Sequence, residues 1–250
     1  GLPFPRPSGP FMAQQIMYNW DKSYNLDGEF YWEHVYGYTK DLRNDYHGMA
    51  TAYAMRHQGR VKWEPYGWLD KWAEGQKELK SFQYMSIAPR DLFGNIISVT
   101  SYIEPERFDL FLMYINSLRR IRRMSASDTQ DPAVGQDMVY EDWQGFNQKL
   151  TPKRYPYKYE VIGEGEFLVP ISWDGSTYMS TKEGHILKNV QMERRPLWVV
   201  QLTQLDKNYV FGKRIFYIDK EILYFHHVDN YDQKGRLYRT YDSIWGFIPE

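Results

Sequence analysis

From Glu29 the chain alternates with period two. Phe30, Trp32, His34, Tyr36 and Tyr38 fall on even positions, and Tyr31, Glu33, Val35, Gly37 and Thr39 on odd ones. Successive side chains of a strand point to opposite faces, so this pattern predicts a long strand with one strongly aromatic face. The same period predicts a short strand at 60–63 and further strands at 79–87, 95–103, 107–115, 118–124, 157–169, 192–205, 210–219, 222–231 and 236–245. Turn signals separate them, among them Asn44-Asp45, Gln58-Gly59, the run from Pro89 to Gly94, Asp206–Tyr209 and Asp232–Gly235. Helical spacing fits residues 10–22, where Phe11, Ile16 or Met17, and Trp20 recur after Ser8 or Gly9 as a cap and Pro10 at the first position. The stretch from His47 to Arg56 reads both ways: its Met-Ala-Thr-Ala-Tyr-Ala-Met run suits a helix by propensity, while its neighbours argue for a strand. Residues 64–78 read as a loop with one helical turn. Residues 125–155 are polar and acidic, and a connection of that length carries function or a small helix of its own, best placed from Met138 to Phe146.

Strand-turn-strand spacing without intervening helices implies antiparallel neighbours rather than βαβ units. About ten or eleven strands in one sheet would have to curl. The expected fold is therefore mainly β: a curled antiparallel half-barrel with helices packed on or plugging its concave face. The expected organisation is a Pro-rich arm over residues 1–9, with four prolines in the first ten residues, followed by a single domain over 10–250. The arm lacks the apolar stretch of a signal peptide, so either the protein is not exported or the chain begins after a removed leader.

Composition narrows the function classes. Hydrophobic residues make up 42% and charged residues 25%, as in ordinary globular domains, and the net charge is -1. A protein whose affinity comes from neutralising phosphates is usually basic, so nucleic acid is not an expected partner. No window approaches the ~18 apolar residues of a membrane-spanning helix. Cysteine is absent, which removes disulfides, thiolate metal sites and a cysteine nucleophile. Aromatic residues are abundant, Tyr above all with 22, and they suit half-buried sheet surfaces and ligand-facing walls.

Motifs of catalysis are missing. His226 and His227 are adjacent, so on a regular strand they face opposite ways and cannot share a metal. There is no H-E-x-x-H, no G-x-S-x-G and no Gly-rich phosphate cradle; Gly163-Glu164-Gly165 sits inside a strand pattern and marks a bulge. The expectation is a protein that is not an enzyme and has no cofactor and no metal. Two features stand out. Arg119, Arg120, Arg122 and Arg123 crowd one strand, with Arg120 and Arg122 on one face; they pair with the acidic segment that follows, hold an anionic headgroup or ligand, or contact nucleic acid or a membrane surface. The stripe of Phe30, Trp32, Tyr36 and Tyr38 either packs the helix at 10–22 onto the sheet or lines an apolar cavity.

Several stretches in order carry a resemblance. They are Pro3-Phe4-Pro5 leading into a Gln/Trp-containing helix; Leu118-Arg119-Arg120-Ile121-Arg122-Arg123-Met124-Ser125 followed by an acidic loop ending at Tyr140–Trp143; Arg194-Arg195-Pro196-Leu197-Trp198-Val199-Val200; Lys213–Asp219; and the hairpin Tyr231–Arg239. Together they resemble a bacterial family of unknown function in the superfamily of the outer-membrane lipoprotein-sorting proteins LolA and LolB. The resemblance implies an exported half-barrel with a concavity that accepts acyl chains, in the periplasm and associated with the outer membrane. It implies a lipid or other hydrophobic small molecule as partner, with an envelope transporter or lipoprotein as a further one. On this reading Phe30, Trp32, Tyr36 and Tyr38 form part of the ligand wall, and Arg120 and Arg122 lie near an anionic headgroup. The alternative is an envelope scaffold whose half-barrel is filled by its own side chains.

Overall fold

Hydrogen bonding turns the period-two segments into two six-stranded sheets, where the strand spacing alone suggested one. The computed structural model describes residues 2–23, 29–39, 41, 43–61, 63–124, 139–172, 176–180 and 186–246. They gather into two compact units: residues 25–143, and residues 1–24 together with 144–250. The fold is mainly β and antiparallel, as expected, and neither sheet closes into a barrel.

In the second unit, helix α1 (Met12–Ser23) follows a 3-10 turn at Gly9–Phe11, which Pro10 opens. The proline-rich arm is tied back to this helix. The Phe4 amide donates to Asn19 Oδ1 at 3.0 Å, Asn19 Nδ2 donates to the Phe4 carbonyl at 2.6 Å, and the Ser8 amide donates to Gln15 Oε1 at 2.9 Å.

Unit 25–143 begins with β1 (Glu29–Tyr38) and β2 (Asn44–Arg56). The ambiguous stretch is thus a strand: Ala50, Ala52 and Ala54 alternate onto one face and are fully buried, so tertiary packing overrides the helical propensity of Ala and Met. The expected Asn44-Asp45 turn is the start of β2, and the short strand expected at 60–63 sits instead at β3 (Gln58–Arg60), paired with β4 (Gly67–Trp68). The helical turn of the following loop is α2 (Lys71–Gln76), capped by Asp70, whose Oδ1 accepts from the Ala73 amide at 2.7 Å. Next come β5 (Glu78–Ala88), β6 (Ile96–Tyr102), β7 (Leu110–Ile115) and β8 (Arg120–Met124), and the sheet runs in the order β1-β2-β5-β6-β7-β8. Arg119 is not in the strand; it closes the 3-10 turn Asn116–Leu118 in a left-handed conformation. The small helix of the acidic connection is a 3-10 segment, Tyr140–Gly145.

The second unit's sheet is built from β9 (Tyr157–Ser172), β12 (Gln191–Gln204), β13 (Lys213–Asp219), β14 (Phe225–Tyr231), β15 (Leu237–Asp242) and β16 (Trp245–Gly246), with a ribbon of β10 (Tyr178–Ser180) and β11 (Ile186–Lys188) between β9 and β12. Its order is β15-β14-β13-β12-β9-β16, antiparallel except for the β16–β9 pair. The bulge expected near Gly163 is present: Val199 pairs with Gly163 and Val200 with Val161, leaving Ile162 as the extra residue. Ala13, Ile16, Met17 and Trp20 of α1 pack onto Trp198, Val200, Leu202, Phe216, Ile218, Phe225 and Val228 as one core. The expected helix-on-sheet packing is therefore made with this sheet. Arg214 is fully buried there. It donates to Asn230 Oδ1 at 2.7 Å and to the Gly145 carbonyl at 2.8 Å, with its guanidinium among the rings of Phe146, Phe211 and Phe216. Gly145 has φ +79, and a Cβ there would overlap the Phe225 ring, so only glycine fits.

Candidate functional site

Register across the first unit's sheet aligns apolar side chains into two continuous rows. One runs Ala54, Phe82, Val99, Phe111, Met124, and the next Ala52, Tyr84, Ile97, Met113, Arg122. Directly opposed residues share a face, so both rows lie on one side of the sheet. From β2 to β8 each spans four strand spacings, about 19 Å at ~4.8 Å each. Alanines keep one end of the rows shallow, while Phe82, Ile97, Phe111 and Met113 are only half-buried. The Tyr140 ring meets Phe111 edge-on at 5.0 Å. The second row ends in a guanidinium, so the surface offers a long apolar strip terminated by a cation.

The residues expected to form a site do not assemble in the expected way. Phe30 and Trp32 belong to β1, opposite Tyr53 and Thr51, and β1 and β8 are the two ends of the sheet. Five spacings separate those strands along the sheet, about 24 Å. Tyr36 and Tyr38 stand on the face opposite to the apolar rows. There they form an exposed stack with His34 and His47: Tyr36 lies 4.4 Å from the His47 ring and 6.4 Å from Tyr38, all nearly parallel. Arg120 and Arg122, paired with Ile115 and Met113, share the face of the rows. Tyr36 and Arg122 thus occupy opposite faces and cannot flank one ligand lying on the sheet. Arg119, Arg120, Arg122 and Arg123 are exposed, and their side chains make no ion pair or hydrogen bond among the described residues. Of the acidic residues expected to pair with them, Asp128, Asp131 and Asp137 lie outside the described residues, and Glu141 and Asp142 are buried.

Three polar clusters emerge that spacing did not reveal. His57 Nδ1 lies 2.8 Å from Glu78 Oε2 and its Nε2 2.8 Å from Ser81 Oγ, an acid–imidazole–hydroxyl chain at the junction of β2 and β5. Ser81 sits inside the ladder between Met55 and Thr100 rather than on the strained turn that exposes a nucleophile. In the second unit, Asp219 is fully buried and receives both Nε and Nη2 of Arg195 at 2.8 and 3.2 Å, His226 Nε2 at 3.0 Å, and the amides of Glu221 and Ile222. Burial alone would raise its pKa, yet the hydrogen bonds from His226, Arg195 and the two amides hold it well below the usual carboxylate range. His226 is the extra residue of a bulge between Tyr217 and Ile218, and this turns it away from His227. His227 instead bridges Asp242 at 2.6 Å and Asp229 at 3.0 Å. Burial lowers its pKa, but the two carboxylates outweigh burial and raise it. His226 and His227 thus turn to different carboxylates, and no group of three metal-ligating side chains converges among the described residues.

Comparison with known proteins agrees with this architecture. A domain described as an outer-membrane lipoprotein-sorting protein from Vibrio parahaemolyticus superposes with a TM-score of 0.59 at 16% identity, over 91% of this chain and 75% of that one. A DUF1329 family protein from Desulfovibrio piger superposes with a TM-score of 0.57 at 18% identity, over 90% and 74%. At these identities the likeness is one of fold. The uncharacterized protein PA3922 of Pseudomonas aeruginosa is 27% identical over 176 residues, which are 65% of this chain and 37% of that relative, so the chain spans well under half of the relative's length. The model of a family described as "Protein of unknown function (DUF1329)" matches residues 1–246, and the chain belongs to that family.

Proposed function

We propose that this protein is a non-enzymatic binder of an amphiphilic lipid or similar hydrophobic molecule in the bacterial periplasm, at or near the outer membrane. The observation that supports this is the pair of apolar rows, partly open to solvent, of which the second ends at Arg122. A tail laid along Phe82, Tyr84, Ile97, Phe111 and Met113 gains ~0.8 kcal/mol per buried CH₂ without directional bonds. An anionic headgroup at the strip's end meets the fork of the Arg122 guanidinium, which suits carboxylate or phosphate. The name of the Vibrio neighbour points the same way, toward lipid-modified cargo and the envelope. The exposed stack of Tyr36 and Tyr38, with Phe30 and Trp32 on the same strand, is a separate surface for a transporter or lipoprotein partner.

Delipidated protein offered fatty acids, phospholipids and hopanoid-like lipids one at a time, followed by native mass spectrometry, is the test. Uptake of an anionic amphiphile, weakened by Arg122→Gln and abolished by Met113→Glu, is the expected result. No uptake across the panel overturns the reading and leaves the scaffold role. The Glu78–His57–Ser81 chain braces β2 against β5 on this view; covalent capture of a fluorophosphonate at Ser81 would show an enzyme instead.

A further inference from the structure

The antiparallel order places three hairpin connections at the same end of the first unit's sheet: β1–β2, where Arg43 pairs with Asp41 at 3.8 Å, and, next to one another, the β5–β6 turn from Pro89 to Gly94 and the β7–β8 turn from Asn116 to Arg119. Asn116 ties the last two together. Its amide donates to Asn95 Oδ1 at 2.9 Å and its Nδ2 to the Phe93 carbonyl at 3.1 Å. The contact is close enough that a Cβ on Gly94, at φ +76, would press on the Asn116 side chain at 3.1 Å.

This fixed double tip presents large apolar side chains to solvent: Phe93 is 57% exposed, Leu118 50% and, at the start of β8, Ile121 68%. Around them Arg90, Arg119, Arg120 and Arg123 are exposed, and among the described residues their side chains have no ion pair or hydrogen bond; Asp91, also exposed, lies next to Arg90 in the same turn. A chain of net charge -1 thus concentrates cations at one end of one sheet.

We propose that this double tip docks the protein end-on against an anionic phospholipid surface. Arg120 and Arg123 point to opposite faces of β8, so they cannot converge on one small anion; Arg120 stands next to the turn and Arg123 three residues, about 10 Å, further along the strand, which is about one Debye length. A plane of headgroups satisfies side chains on both faces at once. Phe93, Leu118 and Ile121 then enter the acyl boundary, while the arginine stems lie along it with their heads in the headgroup layer. An anionic lipid surface takes both features at once, the guanidiniums in its headgroups and the three projecting apolar side chains beneath them. The site shares no residue with the strip ending at Arg122, although it deepens the envelope reading.

Sedimentation of the full chain with phosphatidylglycerol vesicles and with phosphatidylcholine vesicles tests it. Binding is expected to the first and not the second, and to fade as salt is raised. Arg119→Gln, Arg120→Gln and Arg123→Gln are each expected to weaken it about five-fold, and Phe93→Ser with Leu118→Ser to weaken it further, while circular dichroism stays unchanged. Equal binding to both vesicles, no binding to either, or equally tight binding to duplex DNA or polyglutamate overturns the proposal. Amphiphile uptake by monomeric ligand is read separately, so its failure and the failure of docking are distinguishable: Met113→Glu is expected to remove uptake and leave sedimentation as it was.

Discussion

The two six-stranded sheets put the same alternation to different ends. The sheet of β9 and β12–β16 lays Trp198, Val200, Leu202, Phe216, Ile218 and Val228 on one face and seals them with α1, so that its core is buried throughout. Even its charges are enclosed, Asp219 against Arg195 and Arg214 among three rings. The sheet of β1, β2 and β5–β8 has a leaner interior of alanines with Tyr84 and Val99, beside Phe82, Ile97, Phe111 and Met113, which stay half-buried, and at its edge arginines that have no ion pair among the described residues. A sealed face contributes stability, whereas a face left partly open keeps apolar area in reserve for something else. Mutations should therefore separate them: changes in the first cost folding, and changes in the second cost binding.

The largest effect is expected from Asp219→Asn. It removes the charge on which Arg195, His226 and two backbone amides converge in a fully buried position; Arg195 keeps Glu193 and Glu221, but breaking such a buried network is expected to cost about 3–5 kcal/mol. Urea denaturation measures it, and a loss under about 1 kcal/mol would show that the cluster is not sealed. Acid should act the same way. Asp219 has its pKa lowered from the ordinary 3.8, so its contribution is present above that value and is lost as pH falls below it toward the folded pKa.

Phe216→Ala, in the sealed core, is expected to cost about 3–5 kcal/mol. Phe111→Ala, on the open rows, should cost less than half of that and instead weaken amphiphile uptake. Equal stability losses would erase the distinction between the sheets.

Much of this was legible in the chain. The period-two runs located most strands, and Phe11, Ile16, Met17 and Trp20 located α1. The bulge at Ile162 was marked by its glycines. What the chain conceals is pairing across distance. Arg122 could be singled out from its neighbours, but the row that ends in it joins residues from five strands, and only register brings Ala52, Tyr84, Ile97 and Met113 into line with it. The same blindness assigned Tyr36 to the wall and Arg122 to the headgroup of one ligand: parity within each strand was right, while the number of strands between them and the faces they take were invisible. Ala50, Ala52 and Ala54 did carry a local signal, since alternation of a small residue is a strand pattern whatever its helix propensity.

A smaller effect sharpens the picture at the tip of the excursion between β2 and β5. Asp70→Ala removes the oxygen that receives the Ala73 amide at the start of α2, and loss of such a cap costs about 1 kcal/mol. Because α2 has only six residues, the change should appear as faster local amide exchange in α2 more than as a shift of the global midpoint.

The smallest expected effect belongs to His227, on the other face of the sealed sheet. Its ring is held between Asp229 and Asp242, and they raise its pKa above the ordinary 6.5 despite the opposing pull of partial burial. The native state thus binds the proton more tightly than the unfolded chain. The stabilisation is full below pH 6.5 and is lost as pH rises through the raised value. Asp242 is 67% exposed, so solvent screens the pair and the contribution stays within about 1 kcal/mol. Urea midpoints measured from mildly acidic to alkaline pH should fall for the wild-type chain and stay level for His227→Gln, with salt shrinking the difference. Parallel curves would mean that the two carboxylates hold the ring in place without favouring its charge. The enclosed cluster at Asp219 would then be the main source of pH dependence in this sheet, which is the contrast between buried and exposed charge carried down to a single residue.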